Sequence, residues 1–293
     1  MLSSFVAAVL FLSILVSPLV MHFTQVRHNV LPFDAAAAFP TERTLVGGEI
    51  LATTLAELVE HELDGTTGWR PNDFFLWGPA AMADNNANRQ LGIILAVRES
   101  ARVFRDHLTK VSASEYDVNL QEAETRLRND ERKFWFPSAE SRFREGVESL
   151  RLYVAGLQAG TSKPINKRNV ELIRMFQTWT DLLGDAHANL LREDIPFLAI
   201  DDEFYHAQGV SHVLYHLTLA LRHEYQQTLQ ERPAVLELFD HVAVSLREAA
   251  QIKPLVVMDG GPSGLFANHR RNIDVFIIDA RQLMYTIREE LEK

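Results

Sequence analysis

Apolar residues recur at helical spacing along most of the chain. The clearest example alternates steps of four and three residues, which places one apolar stripe on an α-helix: Phe143, Val147, Leu150, Val154 and Leu157. Ser138 precedes this stripe and suits a helix N-cap, whereas Gly160 follows it and suits a helix stop. The pattern therefore predicts a helix between these two residues.

Similar patterns predict a chain built almost wholly from helices. We expect further helices near residues 45–63, 86–111, 116–131, 167–193, 200–231, 234–252 and 269–291. The one strand-like run, Pro254–Met258, is too short to imply a sheet. The predicted fold class is all-α, a multi-helix bundle whose neighbouring helices pack at shallow angles.

The first segment has a different pattern. Leu2–Val26 contains no Asp, Glu, Lys or Arg, and about 20 apolar residues in a helix span a bilayer core. We predict a transmembrane anchor over residues 1–26, a tether over 27–43 and a helical domain over 44–293. A cleaved signal peptide, with small residues at Ala35–Ala38, and a buried core helix are the alternatives. Arg27 after the span mildly favours a cytoplasmic bulk, but the layout of the chain favours an exported domain.

The net charge and the absence of cysteine exclude several classes of partner and site. The formal net charge of −10 argues against nucleic-acid binding, which needs a dense cationic surface. The chain has no cysteine, which removes disulfides, thiolate zinc sites and thiol nucleophiles.

Three blocks of sequence occur in a recognisable order behind the apolar segment: Gly68–Asp73, Ala123–Tyr153 and Val256–His269. Together they resemble the bacterial domain-of-unknown-function family numbered 2333, and Ala267-Asn268-His269 is among the more specific marks. The resemblance implies a membrane-anchored, mostly helical bacterial protein. It implies an inner-membrane protein with a single span and its bulk in the periplasm.

The glycine-rich stretch within Val256–Asn272 is the first candidate site. Its glycines do not fit the spacing of a dinucleotide loop, a Walker loop or a nucleophile elbow. We favour a structural joint in which Asn268 caps the last helix. The alternative is a ligand-binding loop, whose candidate residues are Asp259, Gly260, Gly261, Gly264, Asn268, His269 and Arg270.

Histidines form a second candidate, because His212, His216 and His223 lie near one face of one predicted helix. A pair four residues apart can chelate a metal, but the Glu of the H-E-x-x-H motif is missing. We therefore predict packing or surface histidines, no metal and no cofactor.

Aromatic stretches are the third candidate. Gly68–Pro79 combines rings with polar residues and suits either a lipid or partner contact or a loop folded over the bundle. The candidate interaction residues there are Trp69, Arg70, Asn72, Asp73 and Trp77. We expect Glu131–Pro137 to tuck Phe134, Trp135 and Phe136 into the core.

These observations favour one function class over another. We expect a membrane-anchored structural or protein-interaction component of the cell envelope that binds another envelope protein or itself, and no nucleic acid. The alternative is a small-ligand-binding protein or enzyme with its site at residues 259–270.

Overall fold

The computed structural model describes residues 4–12, 16, 20, 45–65, 68–73, 84–109, 116–196, 199–254, 256–261 and 266–293. Residues 4–12 are helical and exposed. Most of the predicted span Leu2–Val26 and the tether at residues 27–43 lie outside the described residues. Among the helices that are described, none is long and apolar enough to cross a membrane.

From residue 45 onward, the described chain consists of helices and connections. The helices are α1 Glu49–Asp64, α2 Asn85–Val103, α3 Val118–Leu127, α4 Ala139–Ala159, α5 Asn169–Leu190, α6 Ile200–Glu224, α7 Pro233–Gln251 and α8 His269–Glu292. A π-helical turn, Phe104–Leu108, continues α2. The described residues contain no strand and only an isolated bridge between Asp259 and Asn268. The all-α prediction is confirmed.

Predicted helix ends are correct where a capping residue determines them. The Ser138 hydroxyl accepts a hydrogen bond from the Ser141 amide at 3.3 Å, and Gly160 ends α4 with a left-handed φ of 74°. Asn268 likewise caps α8, because its side-chain oxygen accepts from the Arg271 amide at 2.9 Å.

Helix α6 lies at the centre of the bundle and packs against α1, α2, α5 and α7, with its largest contact on α2. The α2–α6 pair is parallel, since Asn88 meets Asp202 and Gly92 meets His206. A Cβ on Gly92 would lie 2.0 Å from the His206 carbonyl oxygen, and one on Gly209 would lie 2.0 Å from that of Arg89. Only glycine allows so close a backbone approach.

Contacts between helices show which helix ends lie together at each end of the bundle. Glu62 near the end of α1 pairs with Arg89 near the start of α2, and Asn88 on α2 bonds Asp202 at the start of α6. Helices α4 and α8 begin at the same end, which we call the loop end. The start of α1 lies at the opposite end, where its amides contact Glu224 at the end of α6.

Candidate functional site

The segment after α1 folds inward at the loop end. Trp69 is 5% exposed, and its ring packs edge-on against Phe143 with centroids 5.0 Å apart. Its indole N–H donates to the Glu131 carbonyl at 2.9 Å. The buried Asn72 amide donates to the Lys133 carbonyl at 3.1 Å and to the Glu140 carboxylate at 2.9 Å. Trp69 and Asn72 thus hold the backbone of residues 131–133.

Arg70 and Asp73 complete this brace. Their side chains form an ion pair, and the Arg70 amide donates to the Gln90 side chain at 2.8 Å. Gln90 in turn donates to the Gly68 carbonyl and to Glu62, each at 3.0 Å. Burial raises the pKa of the Asp73 carboxyl, while neighbouring Arg70 opposes that rise. Trp77 lies outside the described residues, and an interaction role for this group stays a prediction.

The braced segment presents three consecutive aromatic side chains to solvent. Phe134, Trp135 and Phe136 are 51%, 79% and 89% exposed. The prediction that they enter the core is wrong, and the backbone explains why. The Ala139 amide donates to the Lys133 carbonyl at 3.0 Å, which closes a short loop and turns the residues between them outward. We call residues 132–136 the aromatic loop.

The aromatic loop is anchored at both edges. At its start, Arg98 pairs with Glu131 at 2.9 Å, and the Trp69 indole holds the Glu131 carbonyl. At its end, Ser138 begins α4 as an N-cap. Two of its rings also pack edge-on against each other, with the Phe134 and Trp135 centroids 5.5 Å apart. The exposed apolar surface therefore stands on an ordered base.

The glycine-rich stretch is a closed turn in its described part. The Gly260 amide donates to the Ala267 carbonyl at 3.1 Å, and the His269 amide donates to Met258 at 2.9 Å. The Asn268 amide group donates to Asp259 and to the Gly260 carbonyl, each at 2.8 Å. These bonds support the joint that the sequence favours, although ligand binding by this stretch stays a prediction.

The glycines in this turn differ in what they require. A Cβ on Gly260 would lie 1.9 Å from the Phe266 carbonyl oxygen, whereas one on Gly261 would meet nothing within 4 Å. Neither residue has positive φ, so close approach explains Gly260. Gly264 lies outside the described residues.

The other candidates of this stretch also have partners. The His269 ring nitrogen Nδ1 accepts from the Met258 amide at 3.0 Å. The buried Arg270 guanidinium donates to the Arg192 carbonyl at 3.3 Å and lies 3.6 Å from the Asp259 carboxylate. This end of α8 is therefore joined to the end of α5.

Of the three histidines on α6, His212 is buried and His216 is partly buried. The His212 and His216 rings meet edge-on with centroids 4.8 Å apart. Burial holds the pKa of His212 well below its usual value and lowers that of His216 to about 4, with His61 and Arg89 adding to the latter shift. His223 lies about three turns after His212 and is also partly exposed. Within the described residues, no group of three or more His, Asp or Glu side chains has the arrangement of a metal site.

Two polar contacts had no signal in the sequence. His187 near the end of α5 lies 2.7 Å from the Asp274 carboxylate on α8. At the starts of α2 and α6, the Asn88 amide group donates to the Asp202 carboxylate at 2.6 Å. Burial raises the pKa of Asp202 to about 7, and repulsion from Asp84 and Asp201 adds to that rise. Both contacts join residues that are far apart in sequence, and only the fold brings them together.

The protein is an all-helical bundle that presents an exposed aromatic loop on a hydrogen-bonded backbone at one end. A family model described as an uncharacterized protein conserved in bacteria, DUF2333, matches residues 1–190 and 165–293. These two matches cover the whole chain, so the protein belongs to this family. Searches of the curated proteins and of the solved structures found no match.

Proposed function

We propose that this chain is a membrane-anchored structural or interaction component of the bacterial cell envelope, and that the aromatic loop is its contact surface. The observation that carries the proposal is the exposure of three consecutive large aromatic side chains on a braced backbone. Exposed apolar patches on ordered backbones mark contacts with proteins or membranes, because leaving such surface in water is unfavourable.

The anchor is part of the same proposal. The length of Leu2–Val26 without Asp, Glu, Lys or Arg supports a single span in the inner membrane. One apolar segment followed by a long domain without cysteine supports a periplasmic location for the rest of the chain. Since α1 starts at the end of the bundle opposite the aromatic loop, the helical domain separates the anchored end from the contact surface.

Two measurements on the full chain in cells test the proposal. Carbonate washing of membranes should leave the protein in the pellet, and recovery of the full-length chain in the soluble fraction would refute the anchor. A photoreactive amino acid at Phe136 should give crosslinks to another envelope component or to lipid. The matched control is Val275, which is also exposed but lies on the side of α8. Equal crosslinking from both positions would refute a contact role for the loop.

A further inference from the structure

We propose that the aromatic loop docks into the headgroup region of an anionic phospholipid membrane. This inference rests on the proposed function, because it names the target of the contact surface described there. The chemistry of the loop selects a lipid interface: its tip carries one Trp between two Phe, and two cations, Arg132 and Lys133, directly precede them.

The side-chain types match the layers of a membrane surface. Trp rings concentrate at the boundary between headgroups and acyl chains, and interfacial segments bury Phe together with Trp at that depth. Cations nearby are attracted to anionic headgroups. Beside the loop, Glu131 is paired with Arg98 at 2.9 Å, and the Asp130 carboxylate accepts from the Arg132 amide at 2.9 Å. Within residues 132–136 both charged side chains are cations, so the loop itself is positive although the whole chain is acidic.

The fixed backbone strengthens this reading. Lys133 accepts hydrogen bonds from both Asn72 and Ala139, which turns residues 134–136 outward. Interfacial insertion therefore needs little ordering of the loop, and little binding energy is lost to ordering. The exposure increases along the loop, from Phe134 to Trp135 to Phe136, as a wedge entering a surface requires.

The anchor does not prevent this contact. Residues 27–43, fully extended, would reach at most roughly 60 Å. The longest described helix, α6, has 25 residues, and a helix of that length is about 37 Å long. The bundle can therefore be tethered by Leu2–Val26 and touch the same bilayer through the aromatic loop.

The test uses tryptophan quenching by brominated lipids, with the full chain in vesicles that contain an anionic phospholipid. The loop places Trp135 at the interface, whereas Trp69 and Trp179 are buried in the bundle. The fourth tryptophan, Trp77, is replaced by Phe in the parent and in the variant alike, so that it adds no signal. We expect the parent protein to show a quenched, blue-shifted emission component. The Trp135→Phe variant keeps an aromatic tip but should lose that component. Equal fractional quenching of the parent and Trp135→Phe would overturn the inference.

Charge reversal provides the second arm. The double variant R132E/K133E should weaken docking to anionic vesicles by about fivefold or more for each cation. The control R174E/R247E makes the same change in net charge on α5 and α7 and should leave Trp135 quenching unchanged. Equal loss of quenching in both double variants would also overturn the inference.

A protein target gives a distinct result. Crosslinks from Phe136 to a protein, together with no lipid quenching of Trp135, would overturn the lipid inference while leaving the proposed contact role in place. Crosslinks to neither lipid nor protein would refute the contact role itself.

Discussion

Replacing Glu224 with Ala should destabilise the fold through the start of α1, where a distant carboxylate serves as the helix cap. The Glu224 oxygens accept from the amides of Gly48, Ile50 and Leu51 at 3.0, 3.2 and 3.4 Å. The Lys167 ammonium nitrogen lies 3.6 Å from a Glu224 carboxylate oxygen. Burial raises the pKa of Glu224, while these amides and Lys167 oppose the rise. The carboxylate is therefore held by interactions that only the folded chain provides.

The magnitude follows from the three donors. Glu224→Ala leaves three buried or partly buried N–H groups without this acceptor, at roughly 1 kcal/mol each. The expected loss is about 3 kcal/mol in the free energy of unfolding. For a domain of this size, that loss lowers the melting temperature by about 6–12 °C. Glu224→Gln keeps one oxygen but turns an NH₂ group towards N–H donors, so we expect an intermediate loss.

Denaturant unfolding followed by circular dichroism measures this loss, with Glu237→Ala on the exposed face of α7 as the control. Hydrogen exchange adds a local readout, because the amides of Gly48, Ile50 and Leu51 should exchange faster in Glu224→Ala. If Glu224→Ala unfolds at the same denaturant concentration as Glu237→Ala, the capping account is wrong.

Three further predictions concern one close-packed glycine and two titratable side chains. Gly260→Ala should lower stability by about 1–3 kcal/mol, because its Cβ would overlap the Phe266 carbonyl. Gly261→Ala in the same turn has open space and should be nearly neutral, so equal melting temperatures for the two variants would contradict this. Because the pKa of Asp202 is raised to about 7, the stability that its protonated carboxyl contributes is lost as pH rises from about 4 to 7. In thermal melts across that range, Asp202→Asn should lose less stability with pH than the parent does. A pH dependence equal to the parent's would contradict this assignment. The pKa of His216, lowered to about 4, has the opposite sign, so stability is lost as pH falls from 6.5 to about 4. His216→Gln should reduce that acid destabilisation, and an unchanged acid limb would exclude His216 as its source.

Helix existence could be predicted from the sequence because the signals are local. The α4 boundaries follow from one apolar stripe, one N-cap serine and one stop glycine within 23 residues. The α6 prediction instead ran too far, to residue 231, whereas the helix ends at Glu224. Tyr225 and Leu229 continue the apolar periodicity and are buried, but they lie in turns after the helix. The spacing of apolar residues indicates which side chains are buried, and side chains can stay buried after the helix has ended. Apolar spacing alone therefore placed the end of α6 too late.

The aromatic loop was mispredicted for a related reason. Phe134, Trp135 and Phe136 are apolar, and an apolar run next to a helix is expected to face the core. Their direction depends on the closure between Lys133 and Ala139, and on donors from Trp69 and Asn72, some 60 residues earlier. A single sequence contains no sign of these long-range bonds. Trp69 and Asn72, two of the candidate interaction residues within Gly68–Pro79, hold the backbone at the start of the aromatic loop.

The two glycines at the α2–α6 crossing explain how the loop end is kept in one arrangement. Within a helix, each glycine costs about 1 kcal/mol relative to alanine, so Gly92 and Gly209 weaken their own helices. That cost is offset by the close parallel crossing they permit. Beside this crossing, Arg89 on α2 pairs with Glu62 on α1 in the bundle interior at 2.9 Å. Glu62 in turn holds Gln90, and Gln90 holds the backbone of Gly68 and Arg70 beneath the aromatic loop. Widening the crossing would therefore disturb the brace as well as the core, which links the close packing of two central helices to the position of the exposed rings.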